Sequence, residues 1–165
     1  VSALAALAAA LASCADRPGG EAVRDVHAFV QAVQKGDRAG FEAGLDRAAL
    51  RKSLGRQVVQ LGRAQGLEVE GGPSEFALDR MVTVDKLRIT EPDGASASAL
   101  ATPERVKPLL RKTDAGRVCL HDGSEQRRCV LTFARRKAAD GQAAGWKLVD
   151  MPADGTTVAL APPRK

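Results

Sequence analysis

Apolar positions recur every three or four residues once the chain turns polar. Over residues 21–35 they are Val23, Val26, Val30 and Val33, with Phe29 beside them, which makes one stripe on an amphipathic helix. Gly36 ends that pattern, and Asp37 is placed to cap a short second helix carrying Phe41 and Leu45. Asp46 can cap a third, whose stripe is Leu50, Leu54, Val58 and Leu61. Gly55 and Gly62 inside it cost about 1 kcal/mol each relative to alanine and weaken its end. Gly71-Gly72-Pro73 breaks the helical pattern. Residues 81–90 are rich in β-branched side chains and predict a strand, closed by the turn signal Glu91-Pro92-Asp93-Gly94. Thr102-Pro103-Glu104 reads as an N-cap followed by proline at the first helical position, opening a short helix with Val106, Leu109 and Leu110. Pro108 limits its regularity. Strands are expected at residues 117–121, 129–135 and 146–151, and residues 161–165 are expected to fray. No internal repeat is visible. Helices followed by strands predict an α+β domain, with N-terminal helices packed on a C-terminal antiparallel sheet.

A chain of 165 residues with 44% hydrophobic content suffices for one core, expected over residues 21–151. Residues 14–20 read as a tether and residues 152–165 as a C-terminal tail. With no Tyr, one Trp and four Phe, the core must be built mainly from Leu, Val and Ala. The net charge of +5 favours anionic partners. The excess is C-terminal: from Glu104 onward there are 13 Lys/Arg against 7 Asp/Glu, including the runs Arg127-Arg128 and Arg135-Arg136-Lys137. The dearth of aromatic side chains on which bases could stack argues against nucleic acid as the partner.

Residues 1–13 form an uncharged Ala/Leu run, far too short to span about 30 Å of hydrocarbon at 1.5 Å per residue. Such a run fits the hydrophobic region of a signal peptide. It ends in Leu11-Ala12-Ser13-Cys14, which resembles the lipobox of bacterial lipoproteins: aliphatic, small, small, then cysteine. That resemblance implies cleavage before Cys14 and lipid on its thiol, with more than one acyl chain for stable anchoring. Ala10-Leu11-Ala12 is a rival site, and cleavage there would release a soluble periplasmic or secreted protein beginning at Ser13. In such lipoproteins an aspartate directly after the cysteine signals inner-membrane retention. Ala15 holds that position here, which points to the outer membrane. The partners expected on this reading are the membrane, through lipid on Cys14, and an envelope protein or small ligand.

Several runs in the body of the chain resemble a bacterial family of small envelope proteins that is itself a domain of unknown function. They are Ala32-Val33-Gln34-Lys35-Gly36-Asp37, the segment from Leu45 to Leu54, Thr102-Pro103-Glu104 and Trp146-Lys147-Leu148-Val149-Asp150. The Gly-Asp step and the closing Trp-x-Leu-Val strand are also similar to the nuclear-transport-factor-two-like, or SnoaL-like, cone fold. That superfamily holds both enzymes and binding modules, so the resemblance implies a fold and leaves the function open.

Cys119 and Cys129 fall on adjacent expected strands around His121-Asp122-Gly123-Ser124-Glu125. In an oxidising compartment they predict a disulfide. A hairpin centred on Ser124 would put them directly opposite, about 4.5 to 5.5 Å apart at Cα. A two-residue Asp122-Gly123 turn would place Cys119 opposite Gln126 and separate the thiols. Two other uses stay open, a metal held by Cys119, His121, Asp122 and Cys129, or a Cys-His nucleophile pair. The first matches no standard zinc spacing, and the second needs a thiol that export would oxidise.

His27 reads as a helix-flank residue, and Asp79, Asp85 and Asp150 as turn or strand-end residues that a cone-fold enzyme could direct into its cavity. No nucleophile elbow, zinc-protease, P-loop or dinucleotide motif occurs, so no catalytic, metal or cofactor residue is assigned. The leading expectation is a non-catalytic envelope binding module. A small cavity enzyme and a basic surface that docks on anionic envelope lipid are the alternatives.

Overall fold

The computed structural model describes residues 18–67, 71–90, 102–114, 116–139, 143–154 and 157–160. The signal segment, Cys14, most of the tether, the Glu91–Gly94 turn and residues 161–165 lie outside the described residues.

Helix α1 is Gly20–Lys35, and its predicted stripe is its buried face. Gly36 closes it at φ +65°, where Asp37 N–H bonds to the Ala32 carbonyl at 2.9 Å. Glycine reaches that left-handed region without the clash a side chain meets. Helix α2, Arg38–Ala43, is capped by Asp37, whose carboxylate accepts the Gly40 N–H at 3.1 Å. Helix α3, Arg47–Ala64, is capped by Asp46, which accepts from Ala49 N–H at 2.9 Å and from Arg136 Nε at 2.6 Å. Burial alone would raise the Asp46 carboxyl, but those bonds outweigh it and hold the group below the usual carboxylate range. Leu45 is not helical. It leaves α2 and runs beside the last strand of the sheet, with Asp46 N–H on the Leu148 carbonyl and Leu148 N–H on the Gly44 carbonyl.

The stretch 81–90 is corrected. Helix α4, Glu75–Met81, ends where the strand was expected to begin, and Ser74 caps it by accepting from Ala77 N–H at 3.2 Å. A turn follows, with Lys86 and Leu87 N–H both bonded to the Thr83 carbonyl, and only β1, Arg88–Thr90, is extended. Val82, Val84, Leu87 and Ile89 are all buried, so their apolar character serves packing against the core, most of it outside any strand. Arg51 ties α4 to α3 through paired bonds to Asp79 at 2.8 and 2.6 Å. Arg51 holds the Asp79 carboxyl below its ordinary value.

Helix α5, Pro103–Val106, runs into a 3₁₀ turn at Lys107–Leu109, and Leu110 then opens strand β2, Leu110–Asp114. Leu110 was expected on the helix. Pro108 brings no N–H to the helical ladder, and the chain leaves the helix there. Strands β3 (Arg117–His121), β4 (Cys129–Arg136) and β5 (Gly145–Asp150) match the expected positions. The four make an antiparallel sheet in the order β2-β3-β4-β5. Residues 157–160, expected in a tail, hold β6, Thr157–Ala159, which pairs parallel with β1 and buries Val158 and Leu160.

The helices pack on one face of the sheet, so the fold is α+β as expected. Val118, Leu120, Leu131, Phe133 and Leu148 face them, and α1 lies across this face with Phe29 at its centre. Gly44 allows the approach of α2, since a Cβ there would sit 2.6 Å from the Phe29 ring. Among the described residues no helix is long and apolar enough to cross a membrane.

Candidate functional site

The sulfurs of Cys119 and Cys129 lie 2.09 Å apart and their Cα atoms 5.6 Å apart, so the expected disulfide is present. The expected register is not. Cys119 pairs with Thr132 and Cys129 with His121, because Val130 is an extra residue in β4. The loop between the strands is the longer stretch 122–128, closed by Asp122 N–H on the Arg128 carbonyl at 2.9 Å. A β-bulge bends its strand and increases the local twist. Here it swings Cys129 back along β4, until its sulfur is 3.4 Å from the Thr132 hydroxyl and within reach of Cys119.

With both thiols in the disulfide, neither a Cys-His nucleophile nor a cysteine-ligated metal is formed at this hairpin. His121 is engaged separately. Gly123 N–H donates to its Nδ1 at 3.1 Å, and its Nε2 lies 3.2 Å from the Pro108 carbonyl. Arg127 Nε–H points at the same Nε2 from 3.3 Å, so Gly123 and Arg127 compete for the single lone pair of the neutral ring. Burial, then the charge of Arg127, pushes the imidazole below its ordinary pKa. Asp122 is held the other way. Burial would raise it, but the Ser124 hydroxyl and amide and Arg128 outweigh that and keep it ionised.

The neutral imidazole gives a pH signature. Below about pH 6.5 the unfolded chain protonates this histidine while the folded chain resists, so the unfolded state binds more protons and stability falls with pH in that window. Stability is complete above the unfolded value and is lost as pH drops toward the lower folded one. Urea midpoints at pH 7.5, 6 and 5 are expected to fall for the natural chain. The fall between 7.5 and 6 should shrink in His121→Gln.

The three candidate aspartates do not converge. Asp79 is bound to Arg51, and Asp85 pairs with Arg38 at 3.1 Å on the surface. Asp150 accepts from Ser53 and from Gln57, whose other bonds to Met151 O and Ala153 N pin the chain after β5. His27 is half-buried on α1. No cluster of metal-ligating side chains occurs among the described residues.

Four concave regions stand out among the described residues, the smallest, about 290 Å³, lying between His121, the 3₁₀ turn and the β3–β4 loop. The first, about 460 Å³, lies between α1, α2 and β5, with Trp146 as a wall and small residues such as Ala32 and Gly40 lining it. Its polar side chains are committed to the fold: Asp25 accepts Trp146 N–H at 3.0 Å, Lys147 donates to the Ala43 carbonyl, and Asp37 caps α2. Sequence reasoning missed Asp25, whose strand partner Trp146 lies 121 residues further along the chain. The second, about 490 Å³, runs along α3 past Lys52, Arg56 and Arg63 to Gly71 and Gly72. The third, about 530 Å³, is built where the chain enters the domain. Pro18 forms one side, the 3₁₀ turn supplies Lys107 and Pro108, β2 supplies Arg111, and the β3–β4 loop supplies Arg127. Arg127 adopts φ +48°, a left-handed conformation that costs a non-glycine residue roughly 1–2 kcal/mol. Among the described residues Lys107, Arg111 and Arg127 form no ion pair, although Glu104 stands on the rim and stays ionised.

Comparison of the chain with protein-family models, with curated proteins and with solved structures finds no match.

Proposed function

We propose that this chain is an envelope lipoprotein, cut before Cys14, held to the membrane by lipid on that residue, and presenting a non-catalytic binding domain to the periplasm. The observation that carries the anchor is Leu11-Ala12-Ser13-Cys14 at the end of an uncharged apolar run, followed by a short polar tether. A disulfide in the domain is consistent with an exported location. The binding reading is supported by the uses to which the candidate catalytic groups are put. His121 closes a loop, Asp79 and Asp150 tie helices and strands together, and Asp85 pairs on the surface. The similarity to the envelope family of unknown function belongs to the same proposal, as does the outer membrane as destination.

Cys14→Ala tests it. In the protein's own cells the natural chain is expected in the membrane fraction, extracted by detergent and retained through a high-salt wash. The variant is expected in the soluble fraction or as uncleaved precursor. A variant that stays in the membrane as a processed, detergent-extracted protein contradicts the anchor.

A further inference from the structure

We propose that the groove formed by Pro18, Lys107, Arg111 and Arg127 docks the anionic headgroup of a bilayer phospholipid beside the anchor. The inference rests on the lipoprotein reading for where the bilayer lies, and on the described residues for the groove itself. Three cations face one carboxylate, Glu104, and none of the three is ion-paired among the described residues. Elsewhere Arg38, Arg47, Arg128, Arg135 and Arg136 each meet a carboxylate, whereas Arg56 and Arg63 meet none among the described residues. Arg127 is the sharpest case. Its backbone holds a disfavoured conformation, and its guanidinium meets a neutral ring nitrogen of His121 at 3.3 Å and no carboxylate among the described residues. An oxyanion would supply the charged acceptor that this guanidinium lacks there, and the compact ammonium of Lys107 and fork of Arg111 suit a phosphate.

The length of chain before the groove selects the source of that phosphate. Pro18 lines the groove and Cys14 lies four residues upstream, a reach of at most about 14 Å when fully extended. With lipid on Cys14 the groove stays within about 14 Å of the headgroup region, less than two Debye lengths of about 8 Å at physiological salt. The α3 groove also carries cations that form no ion pair among the described residues, Lys52, Arg56 and Arg63, but no described residue of the entering chain lines it.

The test uses the full chain with Cys14→Ser, so that no acyl chain contributes, and vesicles of phosphatidylcholine with or without phosphatidylglycerol. Binding is expected only with phosphatidylglycerol and to fall with salt. Lys107→Ala with Arg111→Ala is expected to weaken it roughly 25-fold, about fivefold per cation. Both side chains are exposed, and an unchanged thermal melt certifies the fold. If the melt shifts, Arg111→Gln alone serves, with about fivefold expected. Lys52→Ala with Arg63→Ala removes the same charge from the other groove and is expected to leave binding nearly unchanged. Equal losses from both pairs, or binding that ignores phosphatidylglycerol, overturn the proposal. So does full displacement by inorganic phosphate at constant ionic strength, which would mark a site for a soluble anion. Because the anchor is absent here, failure of this groove leaves acylation of Cys14 to its own measurement.

Discussion

Phe29→Ala is expected to destabilise the domain by about 3–5 kcal/mol, the largest effect of any single truncation considered. Phe29 is 2% exposed on the face of α1 that lies over the sheet. Its ring stacks on Phe41 at 5.5 Å between centroids and meets Phe133 edge-on at the same distance. Three of the chain's four phenylalanines therefore meet at one point, joining α1, α2 and β4. The rest of the core is Leu, Val and Ala, with no second aromatic cluster among the described residues to share the load. Against a total stability of about 5–15 kcal/mol, this loss leaves a domain close to unfolding. Urea unfolding followed by circular dichroism measures it, with Phe29→Leu as the milder comparison at under about 1.5 kcal/mol. A loss for Phe29→Ala below about 1 kcal/mol would contradict the central place given to this ring.

Opening the disulfide is the second large effect. Cys119 and Cys129 are ten residues apart in sequence, and loop entropy assigns closure of so short a ring about 3 kcal/mol. Cys119 is fully buried behind the sheet while Cys129 is exposed, so the double variant Cys119→Ala/Cys129→Ala avoids leaving a polar group in the interior. That variant is expected to lose about 3 kcal/mol and to ignore reductant. The natural chain should lose a similar amount in dithiothreitol. Identical urea midpoints with and without reductant would contradict a stabilising bridge.

The elements readable from the sequence were those whose signal is local. Val23, Val26, Phe29, Val30 and Val33 repeat at helical spacing over about three turns and are all buried, and Asp37 and Asp46 cap the helices that follow. The α3 stripe was legible only in part. Leu50 and Leu54 are buried, but Leu61 is 43% exposed, because the helix runs on past the core that covers its first half. Residues 81–90 misled because β-branched and aliphatic side chains signal burial as readily as strand, and Val82 and Val84 are buried in a turn. The β1–β6 pair was hidden for a different reason. Two three-residue strands carry almost no periodicity, and a parallel partner about 70 residues away leaves no local trace of its pairing.

The same division holds at the candidate sites. The pairing of the cysteines was legible from residue type and from their places on adjacent expected strands, while its register depended on one inserted residue. His121 was visible as a neighbour of Cys119, but its role depends on Pro108 and Gly123, which reach it from a 3₁₀ turn and a loop. The basic groove draws Lys107, Arg111 and Arg127 from three elements and joins them to Pro18, and no run of charge in the sequence anticipates that grouping.

The most direct test of the account is mass spectrometry of the N-terminal peptide of the mature protein recovered from its own cells. The account predicts a chain beginning at Cys14, with diacylglycerol on its sulfur. A mature chain beginning at Ser13 with an unmodified thiol at Cys14 would contradict it.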